Sequence, residues 1–411
     1  MTDSPTTMAE SAAIEVPEFP MPRAPRCPFD PPPALRALQQ DAPITKVRIW
    51  DGSTAWLVTR YDDLRALLAD PRISSDNSHP NFPYRGPADE ARRLGRTIVT
   101  TDDPEHARLR RMISLPFSIK RVEAMRPAIQ AVVDGRIDDM LAGPKPVDLI
   151  GAFAAPVPML VICELLGVPY EDHEFFETSA LKSMTIGVPA EEAGAAQQQM
   201  HEYVDNLLGH RLTSPGDDLL SILAGQVKDG QLSRRDAATM GRTILVGGFD
   251  TSANMIALGT LALLQHPDQL ARLRETVDPK LIASAVEELL RYLNVAHGGR
   301  QRVAREDIKI GGQTIQAGDA VILTTETANR DPAAFSDPER LDIGRGARHH
   351  VGFAYGVHQC LGQPLARVEL QVVYGTLYRR IPTLRLATAL DQIPFKHDGL
   401  VYGVYQLPVT W

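Results

Sequence analysis

Cys360 stands in a segment that gathers unusual residue types: Phe353-Ala354-Tyr355-Gly356-Val357-His358-Gln359-Cys360-Leu361-Gly362. A lone free cysteine is most often a small buried hydrophobe. The neighbours change that reading. Gly356 and Gly362 permit backbone conformations that other residues resist, and they let the chain approach a flat group closely. Backbone N–H groups in such a loop can point at the sulfur and stabilise its negative charge. His358 is placed for a carboxylate of a bound group, and Phe353 for packing beneath a ring. The segment suits a thiolate held against a flat, metal-bearing cofactor.

A second set of residues could handle protons. Gly247-Gly248-Phe249-Asp250-Thr251 falls inside a stretch with helical periodicity. Two central glycines cost a helix about 1 kcal/mol each relative to alanine. Something there requires a bare backbone, either another helix packing closely or room for a ligand. Asp250 followed by Thr251 supplies a proton donor and a hydrogen-bond relay beside that position. Glu288 and Arg291 are three apart, so they share a helix face. By spacing alone they form a surface ion pair worth well under ~1 kcal/mol. His106 and Arg110 are four apart after Asp103-Pro104, and Arg302 opens Arg302-Val303-Ala304. Taken singly, each of these cations reads as a solvated surface residue.

The elements that must position these groups are mostly helical. From Arg121, apolar residues fall at Val122, Met125, Ile129, Val132, Val133, Ile137, Met140 and Leu141, a 3.6-residue stripe stopped by Gly143-Pro144. A further helix is expected across Pro158 to Leu166. A long one begins near Ser233, where Ser233-Arg234-Arg235-Asp236 reads as a capping box. It runs to Gln265, before His266-Pro267, a length of roughly 45–50 Å. A hairpin is expected from Val47 to Thr59 around Asp51-Gly52. A later strand region spans Ile308 to Ile310, Thr314-Ile315 and Ala320 to Leu323. The stretch from Ile73 to about Thr101 carries His79-Pro80, Phe82-Pro83 and Gly86-Pro87 without periodicity and reads as a functional loop or lid. The expected fold is mainly α with a small β region.

The chain has 411 residues, with 43 Lys plus Arg against 51 Asp plus Glu, a net charge of −8. That argues against a generic nucleic-acid binder. No run of eighteen apolar residues is present, so no membrane span is expected. The first residues carry Asp3, Glu10 and Glu15 with no apolar core, unlike a secretory signal. Residues 1–20 read as a flexible tail, and 21–411 as one domain. Cys27, Cys163 and Cys360 make no disulfide framework, with Cys163 in an apolar run and Cys27 structural or superficial. A reducing cytoplasm fits.

The Cys360 segment resembles the haem-binding signature of the cytochrome P-450 superfamily, with Phe353, Gly356, His358, Cys360 and Gly362 all at their usual positions. The resemblance covers nearly the whole chain from Cys27-Pro28-Phe29-Asp30-Pro31-Pro32 onward and includes Ala328-Asn329-Arg330-Asp331-Pro332. The run Asp102-Asp103-Pro104-Glu105-His106-Ala107-Arg108-Leu109-Arg110-Arg111 is typical of soluble actinobacterial members that hydroxylate macrolides, steroid-like molecules and xenobiotics. The resemblance implies a haem-thiolate monooxygenase. Haem b would lie between the long central helix and the Cys loop, with Cys360 as its axial ligand. A thiolate in that place pushes electron density toward iron and favours O–O cleavage. Asp250 and Thr251 match the oxygen-activating stretch, with Gly247 and Gly248 on the cofactor face. Alanine more often precedes the glycine there, so Gly247 is a mild departure.

The same resemblance implies further roles. Glu288, Arg291 and Arg340 would brace the Cys loop from behind. His106, Arg110, Arg302 and His358 would contact the haem propionates. Val295 and Val401 would touch substrate, within a pocket drawn from the 73–101 loop, Met184 to Val188, Leu293 to Ala296 and Leu400 to Tyr402. No fused flavin or iron–sulfur segment is seen. Electrons would come from a ferredoxin with its reductase, docking near Arg108, Arg111, Arg345, Arg348, His349 and His350. A cytoplasmic monomer using O2 and an apolar small molecule is expected. Two rivals remain open. One is an NADH-fed haem-thiolate nitric oxide reductase, which Trp50 to Thr59 and Asn254 to Gly259 loosely resemble, although that family lacks an acid before the threonine. The other is a non-catalytic haem carrier or sensor, which would leave Asp250-Thr251 without a purpose.

Overall fold

Ser233 starts the longest helix as its spacing predicts. Its Oγ accepts the Asp236 N–H at 3.0 Å and donates to the Asp236 carboxylate at 2.6 Å. The helix then runs from Arg234 to Gln265, 32 residues. In the computed structural model, which describes residues 16–24, 28–91, 97–185 and 188–411, this helix is the axis of the molecule. The helices Pro156–Leu166, Ala190–Thr213, Leu219–Lys228 and Gln363–Arg380 pack against it. Every residue from Ser252 to Leu263 is buried.

By length and composition this helix is apolar enough to cross a membrane, although it holds no uninterrupted run of eighteen apolar residues. Its burial accounts for that composition, since a helix apolar on all sides is usually a core helix.

The 3.6-residue stripe forms the helix Ile119–Ala142, and its stripe residues Val122, Ile129, Val133, Ile137 and Met140 are buried. The expected hairpin forms, and the expected later strand region contains a second one. Ile44–Arg48 pairs with Thr54–Val58 around Gly52, whose φ of +84° a glycine adopts without strain. Ile308–Ile310 pairs with Gln313–Ile315. The first hairpin belongs to a five-stranded sheet in which Thr54–Val58 runs parallel to Ala320–Leu323. Ala320–Leu323 pairs antiparallel with Arg300–Ala304, and Ile73–Ser74 closes the far edge. The strand Arg300–Ala304 was not expected.

Of the tail expected over residues 1–20, residues 1–15 lie outside the described residues, and the remainder is anchored. Pro17 and Phe19 exchange backbone hydrogen bonds with Arg48, and Phe19 is buried beside Val47 and Ile49. Cys27 lies outside the described residues, as do 92–96 of the expected loop and 186–187 of an expected pocket segment. The described part of the 73–101 loop is irregular apart from Ile73–Ser74 and the short helix Pro87–Ala91.

Candidate functional site

The Cys360 loop is built to hold its sulfur in place. Gly356 sits at φ +73°, and a Cβ there would lie 2.2 Å from the Leu68 carbonyl oxygen, so no other residue fits. The Cys360 N–H donates to the Phe353 carbonyl at 2.9 Å. Burial pushes the Cys360 thiol up; the Gly362 N–H, Arg300, Arg110 and Arg367 pull the other way. The cysteine nevertheless has accessible surface. Both facts hold if that surface faces an interior cleft rather than open solvent. Cys163, in contrast, is buried in the core, where burial pushes its thiol up to about 12. Among the described cysteines only Cys360 is placed to bind a metal.

Beside the loop lies a group of arginines and histidines, of which only His106 meets a carboxylate, its Nδ1 lying 3.1 Å from Asp103 Oδ1. His106 and His358 stand with ring centroids 4.1 Å apart. Burial, with Arg302, His106 and Arg110 nearby, pushes His358 down to about 3. Arg110 donates to the carbonyls of Val357 at 3.0 Å and Gln359 at 2.7 Å. Burial lowers Arg302 to about 10, with repulsion from Arg300 adding to it. Among the described residues, no carboxylate forms an ion pair with Arg110, Arg300 or Arg302, and His106 Nε2 is buried without a partner. Orphaned buried donors are rare and call for an explanation. Two carboxylates of a bound group would satisfy them. Haem carries two propionates, so the residues present fit that cofactor.

The opposite wall comes from the long helix, where its two glycines serve different ends. A Cβ on Gly248 would come within 2.7 Å of Ile162 Cδ1, whereas a Cβ on Gly247 would meet nothing within 4 Å. Gly248, expected on the cofactor face, is thus explained by packing against Pro156–Leu166. Gly247 alone provides open room. Thr251 Oγ1 donates to the Gly247 carbonyl at 2.7 Å, leaving its lone pairs free to accept. Asn254 Nδ2 donates to the Asp250 carboxylate at 2.9 Å and to the Asp250 carbonyl at 2.8 Å. Burial raises the Asp250 carboxyl above its ordinary value, against Lys396 and Asn254. Such an acid retains its proton longer than an exposed one.

The brace is present but one member differs. Glu288 and Arg291 are fully buried and joined by two hydrogen bonds of 2.8 Å. The third member is Arg345, whose Nε donates to Glu288 at 3.0 Å. The Arg340 side chain is 64% exposed and turns toward Asp342, whereas its carbonyl accepts from Arg291 and Arg345. A second buried carboxylate, Glu287, reaches the loop as well. Burial pushes it up, but hydrogen bonds from His350 and Arg367 prevail and hold it at about 2. Arg367 also lies 4.6 Å over the Phe353 ring.

Arg345→Ala is therefore expected to cost about 3 kcal/mol in denaturant unfolding of the cofactor-loaded protein, because it leaves a buried carboxylate short of a partner. Arg340→Ala should change it by no more than about 0.5 kcal/mol. Equal losses in the two variants would return the role to the Arg340 side chain.

Three expected pocket segments meet. Leu400 N–H donates to Met184 O at 2.8 Å, Tyr402 N–H to Val295 O at 2.8 Å, and Ala296 bridges Val401. Val401 is buried and Val295 partly so. Arg85, from the 73–101 loop, donates to His297 O at 3.1 Å and brings in the fourth segment. An open cleft lined by His201, Asp205 and Arg234 contains none of these residues.

Two buried ionisable groups were missed in the sequence. Glu369 is buried beside Ser252 with Oε1 unpartnered, and burial pushes its carboxyl up to about 8. The other is Arg300, whose Nε is buried without a partner. Neither lies in a motif, and only the packing of distant segments reveals them.

A cysteine loop, a facing acid–alcohol pair and a cation cluster suited to two carboxylates together define a haem-thiolate protein. The chain belongs to the cytochrome P450 family: the model described as "Cytochrome P450" matches residues 170–381. It is 52% identical over 417 residues to cytochrome P450 GfsF of Streptomyces halstedii, covering 100% of both chains. It is 42% identical over 414 residues to the vitamin D3 dihydroxylase of Streptomyces griseolus, again covering 100% of both. The crystal structure of GfsF superposes with a TM-score of 0.91 at 53% identity, covering 96% of this chain and 100% of that one. That of the mycinamicin VIII C21 methyl hydroxylase MycCI from Micromonospora griseorubida, bound to mycinamicin VIII, gives 0.90 at 39% identity, covering 96% and 100%. The fold is the P450 fold, the cofactor is haem held by a thiolate, and the chain is a P450 monooxygenase of the bacterial kind that hydroxylates secondary metabolites.

Proposed function

We propose that Cys360 holds haem b in a single catalytic domain that acts as a cytoplasmic monomer. The domain inserts one oxygen atom of O2 into a C–H bond of a bulky apolar substrate. That substrate belongs to the polyketide, macrolide, steroid-like or xenobiotic class. Two electrons come from a ferredoxin and its reductase. The observation that carries this is the desolvated Cys360 thiol, fixed by the Gly362 N–H, beside the orphaned His106 Nε2 and two arginines, Arg110 and Arg302, that have no ion pair among the described residues. His106, Arg110, Arg302 and His358 hold the propionates. The similar vitamin D3 dihydroxylase and mycinamicin VIII hydroxylase support a large, mostly apolar substrate.

When bound, haem supplies the redox activation of dioxygen that side chains cannot perform. The chain's own residues do the remaining work. Val295 and Val401 present an apolar wall and exclude water. Thr251 Oγ1, anchored on Gly247 O, accepts a hydrogen bond from a water or protonated oxygen in the space beside Gly247. Asp250 stores the proton at its carboxyl and passes it toward that hydroxyl. The test is turnover with a surrogate ferredoxin, preceded by a screen of apolar compounds for the spectral shift that marks water displacement. Reduction of the NO complex by NADH alone would replace this reading with the reductase.

The donor docks behind Cys360. Of the six cations expected there, Arg345 is committed to Glu288 and His350 is buried on Glu287. Arg108 is paired with Glu105, and His349 stacks on Phe335. Arg111 and Arg348 remain exposed, with the exposed Val357 in the loop itself. Steering between opposite charges raises the encounter rate at low salt. Arg111→Ala combined with Arg348→Ala should slow reduction by subsaturating ferredoxin several-fold at low ionic strength and flatten its salt dependence. Wild-type rates and a flat wild-type salt profile would remove docking from this face.

A further inference from the structure

Arg300 is a charged group that the scheme above leaves without a task. It lies on the strand Arg300–Ala304, where alternate side chains share a face. Gln301 and Val303 point into the protein core and are buried. Arg300 and Arg302 therefore share the other face, both only partly exposed. Arg302 belongs with His358, since the charges acting on His358 are Arg302, His106 and Arg110.

Arg300 is close enough to Arg302 to repel it, but it reaches further. The other charges acting on it are Cys360 and Arg85, so its guanidinium lies between the Arg302 group and the loop that carries Arg85, on the cleft side of the cysteine. Arg85 already has a counter-ion in Asp89, at 3.1 Å. Arg300 has no ion pair among the described residues, and its Nε is buried without a hydrogen-bond partner. A desolvated guanidinium with an orphaned donor is costly unless an anion completes it. Four other groups already serve the two propionates. The neighbouring space is bounded by Arg85 and by His297, whose carbonyl Arg85 holds, directly after the expected substrate wall at Val295 and Ala296.

We infer that Arg300 recognises a carboxylate on the substrate, so that this P450 takes an apolar molecule bearing an acid group. A guanidinium offers two parallel N–H donors to a carboxylate. That contact would orient the hydrocarbon body toward Cys360 and the Asp250–Thr251 side. The inference rests on the haem-thiolate reading and narrows its substrate class.

The haem-loaded protein would be titrated with paired carboxylic acids and their methyl esters, of straight-chain, aromatic and terpenoid type. The water-displacement spectral shift gives each dissociation constant. At least one acid should bind roughly 30-fold more tightly than its ester, a preference expected of a buried charge pair. Arg300→Gln should abolish the preference while leaving ester binding unchanged. Arg300→Lys should restore part of it, because the charge remains but the fork is lost. If no pair shows an acid preference, or the preference survives in Arg300→Gln, the inference is overturned. Faster haem transfer from Arg300→Gln to apomyoglobin, without any acid preference, would make Arg300 a propionate contact and also overturn it. A thiolate-type carbonyl spectrum recorded for each variant keeps these outcomes apart. Its absence from the wild type would sink the haem-thiolate reading instead.

Discussion

Cys360→Ala is expected to give a protein that folds yet shows no thiolate-type carbonyl spectrum, a complete rather than graded loss. The sulfur contributes little to the core, and no packing contact of comparable size is removed with it. What is lost is the only thiol among the described residues that faces the cleft. Cys163→Ala is the matching control. It should keep the spectrum, because that thiol is buried in the apolar core and pushed up to about 12. A free thiol so raised is neither nucleophile nor ligand at neutral pH. Cys27→Ala should keep it too. Retention of the thiolate-type spectrum by Cys360→Ala would show that another residue ligates the iron.

The chemistry was legible in sequence because its residues are locally improbable. Glycines at 356 and 362 around a cysteine, or an acid and alcohol after paired glycines in a helix, contradict ordinary propensity. Such contradictions tend to mark function. The long helix and the Asp51-Gly52 hairpin were legible because capping and turn chemistry act between near neighbours. The expected third brace residue shows where that legibility stops. Arg340 and Arg345 stand five apart, and both sit in the segment that folds behind the Cys loop. Only the tertiary path turns Arg345 inward onto Glu288 and leaves Arg340 in solvent.

The glycine pair teaches a similar lesson. Sequence left close packing and ligand space as alternatives; in the structure a Cβ on Gly248 would strike Ile162, whereas one on Gly247 would meet nothing within 4 Å. Arg300 and Glu369 carry no local signal at all. Their desolvation comes from segments far away in the chain, which composition cannot report.

The second large effect is expected at Asp250 and Thr251. Thr251→Ala removes a hydroxyl whose donor is spent on Gly247 O, so the helix loses one back-bond and the cleft loses an acceptor. Substrate binding should persist, since the apolar wall is elsewhere. NADH consumption should continue, but peroxide should replace hydroxylated product. Asp250→Asn nearly preserves shape and keeps a polar partner for Asn254, so it separates proton supply from packing. Turnover should fall, within the ~10²–10⁴-fold range typical of general acid–base assistance, and less if electron delivery limits the wild-type rate. Burial raises the Asp250 carboxyl, so its protonated form persists to higher pH than in an exposed aspartate. The wild-type advantage over Asp250→Asn should accordingly shrink as the pH climbs past that raised value. Product, peroxide and NADH measured in one assay discriminate the alternatives. Unchanged turnover and unchanged product per NADH in both variants would reduce Asp250 to a partner of Asn254 and Thr251 to helix packing.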